Sequence, residues 1–357
     1  MLNAVAMKSR FACLLMAALG LACTKDAARP PPLTNEPGGG SVGGGGTSSP
    51  PVGDAATSPQ RAIVTAPSTL RGLVVAASEI YVVYVDSPAD GGVSTGVLAR
   101  APRAAAVATA LAPLEPVALG GTSPRDLALF GASLYWLDDN GTSSLVRFSA
   151  NAAEVVGAGF PTASTFAVST TPAATVVVST SLGTLNVDRV SETDAGASQS
   201  LGSLPGDFAP VRSIVKDGIV YMLVSQTTGG GLYKVPLVGG VPENVWSAAS
   251  GTPRDLVLVE GRALVALDRP GDGAIVSIPL SGGAATEQVT GVPGLARLAT
   301  EGLDLFFATL SGDVSRVPVA GAGATTVLAE KIGTPTAMVA ADAVYVAVGP
   351  SVIRLAR

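Results

Sequence analysis

The sequence predicts an all-β fold, a single β-propeller built from four-stranded units that repeat along the chain. Three observations predict it. Short apolar runs bounded by Gly, Pro, Asp and Ser follow one another throughout the chain after residue 60. The runs recur with a period of about 43 residues, which is typical of a four-stranded propeller blade. No stretch of this region combines the apolar spacing and the capping residues that predict an α-helix.

The repeating unit is clearest between Val211 and Pro253, where turn residues separate four apolar runs. Its opening run recurs at intervals of about 40 to 54 residues, as Leu73-Val75, Leu127-Leu129, Phe166-Val168, Ser213-Val215, Leu256-Leu258, Leu298-Ala299 and Met338-Ala340. An apolar-aromatic anchor recurs as Ile80-Tyr81-Val82, Leu134-Tyr135-Trp136, Val220-Tyr221-Met222, Leu305-Phe306-Phe307 and Val344-Tyr345-Val346. A third anchor recurs as Val235-Gly240, Ile278-Gly283 and Val317-Gly321. Because the aromatic residues recur at one strand position, we expect them to pack between sheets.

The two ends of the repeat region predict the number of blades. Six complete units run from Leu70 to Pro335, and the tail after Thr336 supplies three more strands. The segment Arg61-Thr65 supplies a fourth strand for the last blade. Pairing the first and last segments closes the ring and removes open sheet edges. The sequence therefore predicts seven blades, with six or eight as alternatives, in a domain that spans residues 60–357.

The repeated motifs resemble those of known propellers. Leu134-Tyr135-Trp136 and Val235-Pro236-Leu237-Val238-Gly239-Gly240 resemble the Val-Tyr-Trp and Val-Pro-Leu-x-Gly-Gly repeats of bacterial lipoproteins with YWTD- or TolB-like propellers. The resemblance covers about 295 residues. It implies the architecture and is nearly silent about activity, since a fold does not determine a function.

The N-terminus predicts a lipid-anchored protein of the bacterial envelope. A basic segment, Met7-Arg10, precedes a 12-residue apolar run, which fits a signal peptide and is too short to span a membrane. The run ends Leu19-Gly20-Leu21-Ala22-Cys23, which resembles the lipobox of bacterial lipoproteins. The resemblance implies removal of residues 1–22 and acylation of Cys23. Thr24, where that family uses Asp for inner-membrane retention, implies outer-membrane residence, facing either the periplasm or the cell surface.

An ordinary cleaved secretory signal is the alternative, and it would leave Cys23 as a lone thiol in an oxidising compartment. Residues 23–59 are dominated by Gly, Pro, Ser, Thr and Ala. Such a composition buries too little apolar surface to fold, so the sequence predicts a disordered tether between Cys23 and the propeller.

Composition excludes several classes of function. The chain contains no histidine, which excludes Ser-His-Asp and Cys-His catalysis and His-ligated metals. Its two cysteines, Cys13 and Cys23, both precede the repeats, so no disulfide or reactive thiol is available there. The net charge of −5 and the lack of Lys/Arg runs argue against a nucleic-acid partner.

Arginines recur just before the first apolar position of a blade, at Arg71, Arg125, Arg212 and Arg254. Arg297 is a candidate fifth, shifted in position. Because the innermost strand of each blade lines the channel, we expect these arginines near one channel mouth, where they could bind a carboxylate, a phosphate or an acidic side chain. The alternative is local pairing of each arginine, with Asp126, Asp255 or an adjoining blade.

The acidic loops Asp138-Gly141 and Asp268-Gly273 contain residues that both tight turns and Ca²⁺ sites use. Neither continues into a complete calcium-binding loop, so we interpret them as turns and predict no metal and no cofactor. Together these features predict a monomeric, membrane-tethered, non-catalytic scaffold that binds a protein or a small anionic ligand. A structural or assembly role in the outer membrane, and a hydrolase or lactonase that uses carboxylates and a metal, stay open as alternatives.

Overall fold

Twenty-eight strands form seven antiparallel sheets of four strands each in the computed structural model, which describes residues 60–104, 111–161, 164–170, 172–191, 197–321 and 323–357. The predicted seven-bladed, all-β propeller is thereby confirmed. The segment before residue 60, with Cys23 and the predicted tether, lies outside the described residues. Within the described ranges, no helix is long and apolar enough to cross a membrane.

Six blades are continuous in sequence. Blade 1 consists of β2(Leu70–Val75), β3(Glu79–Asp86), β4(Thr95–Pro102) and β5(Glu115–Leu119). Blade 2 consists of β6(Pro124–Phe130), β7(Ser133–Asn140), β8(Thr142–Ser149) and β9(Ala152–Phe160). Blade 3 consists of β10(Ser164–Thr170), β11(Ala173–Ser181), β12(Thr184–Val190) and β13(Ser198–Pro205). Blade 4 consists of β14(Ala209–Lys216), β15(Ile219–Gln226), β16(Gly229–Pro236) and β17(Glu243–Ala248). Blade 5 consists of β18(Thr252–Val259), β19(Arg262–Asp268), β20(Ala274–Pro279) and β21(Thr286–Val289). Blade 6 consists of β22(Leu295–Glu301), β23(Asp304–Thr309), β24(Val314–Pro318) and β25(Thr326–Ala329).

Blade 7 is assembled from both ends of the repeat region. Its strands are β26(Pro335–Ala340), β27(Val344–Val348), β28(Ser351–Leu355) and β1(Arg61–Thr65). β1 pairs antiparallel with β28 as the outermost strand, which confirms the predicted closure. On its other edge, the Ile63 carbonyl oxygen accepts a hydrogen bond from the Ala112 backbone N–H at 2.8 Å, and Val64 forms a parallel bridge with Ala112. Blade 1 therefore covers the edge that closes the ring.

The core lies between the blades. Seven clusters of buried apolar side chains occur, one at each interface between neighbouring blades in the described part of the chain. The aromatic anchors Tyr135, Tyr221, Phe306 and Tyr345 are each at most 5% exposed and belong to four of these clusters. Their predicted role as packing residues between sheets is confirmed.

The first strands surround the central channel, because each contacts the first strands of both neighbouring blades. Six of the seven carry a β-bulge near their start, and only β10 of blade 3 pairs without an irregularity. A bulge inserts one extra residue and redirects the side chains around it. The bulges therefore decide which side chains face the channel.

An ion-pair hub at Asp342 joins blade 7 to blade 1. The Asp342 carboxylate accepts hydrogen bonds from Arg103 of blade 1, from the Tyr345 hydroxyl at 2.9 Å and from Arg354 at 3.4 Å. Burial opposes ionisation of Asp342, but these donors outweigh it and lower its pKa.

Replacing Val64 by alanine should reduce the free energy of unfolding by about 2 kcal/mol, since Val64 is fully buried under the β1 closure. Val155 also lies on an outermost strand but is 51% exposed, so Val155→Ala should stay within about 0.5 kcal/mol of the wild type. Urea denaturation measures both values. Equal losses would show that the closure strand contributes no more than any outer strand.

Replacing Asp342 by asparagine should cost about 1 kcal/mol at neutral pH, a modest value because nearly half of the side chain is exposed and solvent screens the pairs. The pKa of Asp342 is below its ordinary value of 3.8, so its stabilisation is complete above that pH and is lost as the pH falls through the lowered pKa. Thermal melts between pH 7 and pH 3 should show the two proteins converging at low pH. A gap that is constant across this range would contradict the assignment.

Candidate functional site

A cavity of about 330 Å³ lies among the starts of the first strands of six blades. Its charged lining consists of Arg71, Arg212, Arg254, Arg297, Asp126 and Asp255, which we call the channel mouth. Below this charged layer, the wall is formed by aliphatic residues of the same strands, among them Leu73, Val74, Met338 and Val339. Volumes of this size accommodate small ligands or the end of a chain rather than a folded surface.

Three of the four arginines predicted for this site, Arg71, Arg212 and Arg254, line the cavity. Arg125 does not line it, because its guanidinium is held elsewhere. Arg125 pairs with Asp139 at 2.5 Å, contacts Asp126 at 3.0 Å and donates to the Ser164 carbonyl oxygen at 2.6 Å. Arg125 therefore links blade 2 to blade 3 and partly neutralises Asp126.

The mouth arginines occupy two different positions relative to the bulges, although their spacing in the sequence suggests a single one. Arg71 and Arg254 are the unpaired bulge residues of β2 and β18. Arg212 and Arg297 come directly after the bulges of β14 and β22 and oppose Leu223 and Ala308. A one-residue bulge is invisible to motif spacing, so Arg297, which seemed displaced in the sequence, lies at the same strand position as Arg212.

The four mouth arginines differ in how far their charge is compensated. Arg254 pairs with Asp268 at 3.0 Å, and Arg212 approaches the buried Asp255 at 4.0 Å. Arg71 donates to the Ser123 hydroxyl at 2.5 Å, and Arg297 donates to the carbonyl oxygens of Thr336 at 2.9 Å and Ala296 at 3.1 Å. Within the described part of the chain, Arg71 and Arg297 thus have no carboxylate partner.

Asp255 fixes the geometry of the mouth. Asp255 is buried, with 6% of the residue exposed, and its carboxylate accepts the backbone N–H groups of Leu256 and Leu298, both at 2.9 Å. These bonds join blade 5 to blade 6 at the level of the arginines. Each Asp255 oxygen thus accepts one backbone N–H, and only Arg212 among the mouth arginines approaches this carboxylate. Four arginines and two aspartates leave the mouth with an excess of positive charge.

A second cavity of about 160 Å³ adjoins the mouth next to blade 3, and we call it the side cavity. It shares Asp126, Leu127, Ala128, Val211 and Arg212 with the channel lining. Its own walls combine the apolar side chains of Phe166, Ala167, Val168, Ile214 and Val215 with the hydroxyls of Thr165 and Ser213. Those two hydroxyls lie 3.0 Å apart and hydrogen-bond to each other.

The two acidic segments begin within strands, since Asp138 lies in β7 and Asp268 ends β19, and their carboxylates bind the backbone of neighbouring segments. One Asp138 oxygen accepts the N–H groups of Thr122 at 3.0 Å and Ser123 at 2.9 Å. Asp268 and Asp272 accept N–H groups of the segment that leads into blade 6, at Gly294 and Gly291. No group of three His, Cys, Asp or Glu residues that could hold a metal ion occurs among the residues that the structure describes.

No protein-family model and no curated protein matches the sequence. Among solved structures, the chain is similar to YCF48 bound to D1 peptide, with a TM-score of 0.58, 10% identity and coverage of 84% of this chain and 97% of that one. It is also similar to a computationally designed protein, with a TM-score of 0.52, 13% identity and coverage of 82% and 98%.

A puromycin-hydrolyzing peptidase of Mycobacterium tuberculosis is similar with a TM-score of 0.51 and 12% identity, over 76% of this chain and 55% of the peptidase. The chain thus spans about half of that peptidase's length. At these identities, the three likenesses show the propeller fold alone.

Proposed function

We propose that this protein is a non-catalytic binding scaffold that takes an acidic protein segment or a small anionic ligand at the channel mouth. One observation carries the proposal: arginines from four different blades line a single cavity that contains two carboxylates, one of them bound by backbone N–H groups. Guanidinium groups bind carboxylates and phosphates in bidentate geometry, and the first strands of four blades bring these four arginines to one cavity.

Arg297 contributes most to the affinity of the site for anions, because the other three mouth arginines are exposed. Arg297 is partly buried, and its charge faces carbonyl oxygens rather than a carboxylate. A charge in a partly dehydrated cavity interacts with a ligand more strongly than one on an open surface, where water and salt screen it. The similar fold of YCF48 holds a bound peptide, which supports a binding role for a propeller of this kind.

The same proposal places the scaffold at a membrane. Acylation at Cys23, in the segment that resembles a lipobox, would anchor the chain in the outer membrane, and the Gly/Pro/Ser-rich residues up to 59 would act as a tether. β1 begins at Arg61, directly after that segment, and is the outermost strand of blade 7.

Citrate binding to the full-length chain tests the anion site. Arg71→Ala/Arg212→Ala should weaken binding by at least about tenfold, since two guanidinium contacts to a carboxylate are lost. Arg61→Ala/Arg316→Ala removes the same total charge outside the mouth and should change affinity by less than about twofold. Isothermal titration calorimetry measures both. Equal weakening by the two double variants would mean that net charge alone determines citrate binding, and it would contradict an anion site at the channel mouth.

Metabolic labelling with an alkyne fatty acid in a Gram-negative host tests the anchor. Cys23→Ser replaces one sulfur atom by oxygen and removes the thiol that is acylated, so only the wild type should incorporate label and sediment with outer membranes. Cys13→Ser is the matched control and should behave as the wild type, because Cys13 lies in the segment that is removed. Release of unlabelled wild-type protein into the soluble fraction would contradict the proposal.

A further inference from the structure

The side cavity adds space next to the channel mouth that a small anion bound by the arginines would not fill. Arg212 and Asp126 line both cavities, so a ligand held by Arg212 lies at the entrance of the side cavity. Behind this entrance, the apolar side chains of Phe166, Ala167 and Ile214 share the walls with the hydroxyls of Thr165 and Ser213. Charge at the entrance and apolar walls behind it suit a ligand with both characters.

Blade 3 creates this asymmetry. Its first strand, β10, is the one first strand that pairs without a bulge in the described chain, and it places Ser164 and Thr165 where other blades have arginine or aspartate. Ala167 opposes Val176 at the register position that carries Val74, Ile214, Val257 and Val339 in four other blades. Alanine also stands at this position in blade 2, as Ala128, and in blade 6, as Ala299. The side cavity lies where the unbulged strand of blade 3 adjoins blade 2, so that Ala167 and Ala128 both line it.

The volume of the side cavity matches one apolar side chain. A closed apolar cavity of about 150 Å³ takes up benzene, and the side cavity measures about 160 Å³, with both apolar side chains and two hydroxyls in its walls. A branched aliphatic or aromatic side chain fills such a space, whereas a second anionic group there would lose its hydration against Phe166 and Ile214.

Asp126 supplies a hydrogen-bond acceptor beside the arginines. Its backbone has φ of 50°, a left-handed conformation that is costly for a residue with a side chain and that recurs at functional sites. One carboxylate oxygen pairs with Arg125, and the other accepts no hydrogen bond from the described residues. An acceptor next to guanidinium donors complements a group that carries an N–H close to its carboxylate.

We infer that the mouth binds the C-terminal residue of a peptide with an apolar side chain. The terminal carboxylate pairs with Arg212 and its neighbouring arginines, the last backbone N–H donates to Asp126, and the side chain enters the side cavity. This inference rests on the proposed function and narrows its ligand to one chemical class. Free branched carboxylic acids share the charge and the apolar group but lack the N–H.

Four probes titrated into the full-length chain test the inference: N-acetyl-Gly-Gly-Leu, its C-terminal amide, N-acetyl-Gly-Gly-Gly and 4-methylpentanoate. The leucine peptide should bind about tenfold to hundredfold more tightly than the glycine peptide, since one apolar side chain is buried. The amide should lose at least about tenfold, because its carboxylate is gone. The free acid should bind more weakly than the leucine peptide. Equal binding of the free acid would overturn the peptide assignment.

Ala167→Val fills the side cavity with the residue that equivalent positions already carry, so it should reduce the preference for leucine over glycine at least fivefold and leave the affinity for the glycine peptide unchanged. Ala299→Val makes the same change at the equivalent position of blade 6, away from the side cavity, and should preserve the preference. Equal binding of leucine and glycine peptides by the wild type would overturn this inference alone. Failure of every carboxylate probe to bind would overturn the proposed function as well.

Discussion

Closure of the ring by β1 is the constraint on which the rest of the structure depends. A seven-bladed ring has no open sheet edge at its closure only when blade 7 is complete, and blade 7 needs a strand that lies about 270 residues or more before its other three. Ile63 and Val64, both at most 1% exposed, anchor that strand, while the Ala112 backbone covers its outer edge. Because every blade packs on two neighbours, an open blade 7 would expose the interfaces on either side.

Within the closed ring, small irregularities of the first strands produce the candidate site. Six bulges turn the strand starts so that arginines from four blades reach one cavity, and the unbulged strand of blade 3 leaves room beside them. Asp255 holds two blades in register at this level through two backbone N–H groups. The site is therefore a product of the scaffold's regularity together with one blade that departs from it.

Much of the architecture could be predicted because it is repeated. Gly and Pro turns every few residues and aromatic anchors at one strand position gave the number of blades and the closing strand. The site was predicted less completely. Arg71, Arg212 and Arg254 line the mouth. Arg125 instead pairs with Asp139, which is 14 residues away in the sequence but lies on the neighbouring strand β7. Arg297 joins the mouth because a bulge shifts the register by one residue.

The sequence alone determined the strand content, the period and the pairing of the chain ends, since these follow from local alternation of apolar and turn residues and from the demand that no edge stay open. Only the tertiary structure decided which charges are compensated and where space remains. Ion pairs such as Arg125 with Asp139 and cavities such as the one beside Ala167 depend on contacts between strands and blades. Those contacts are set by bulges and by side-chain volumes on neighbouring strands, which no local pattern encodes.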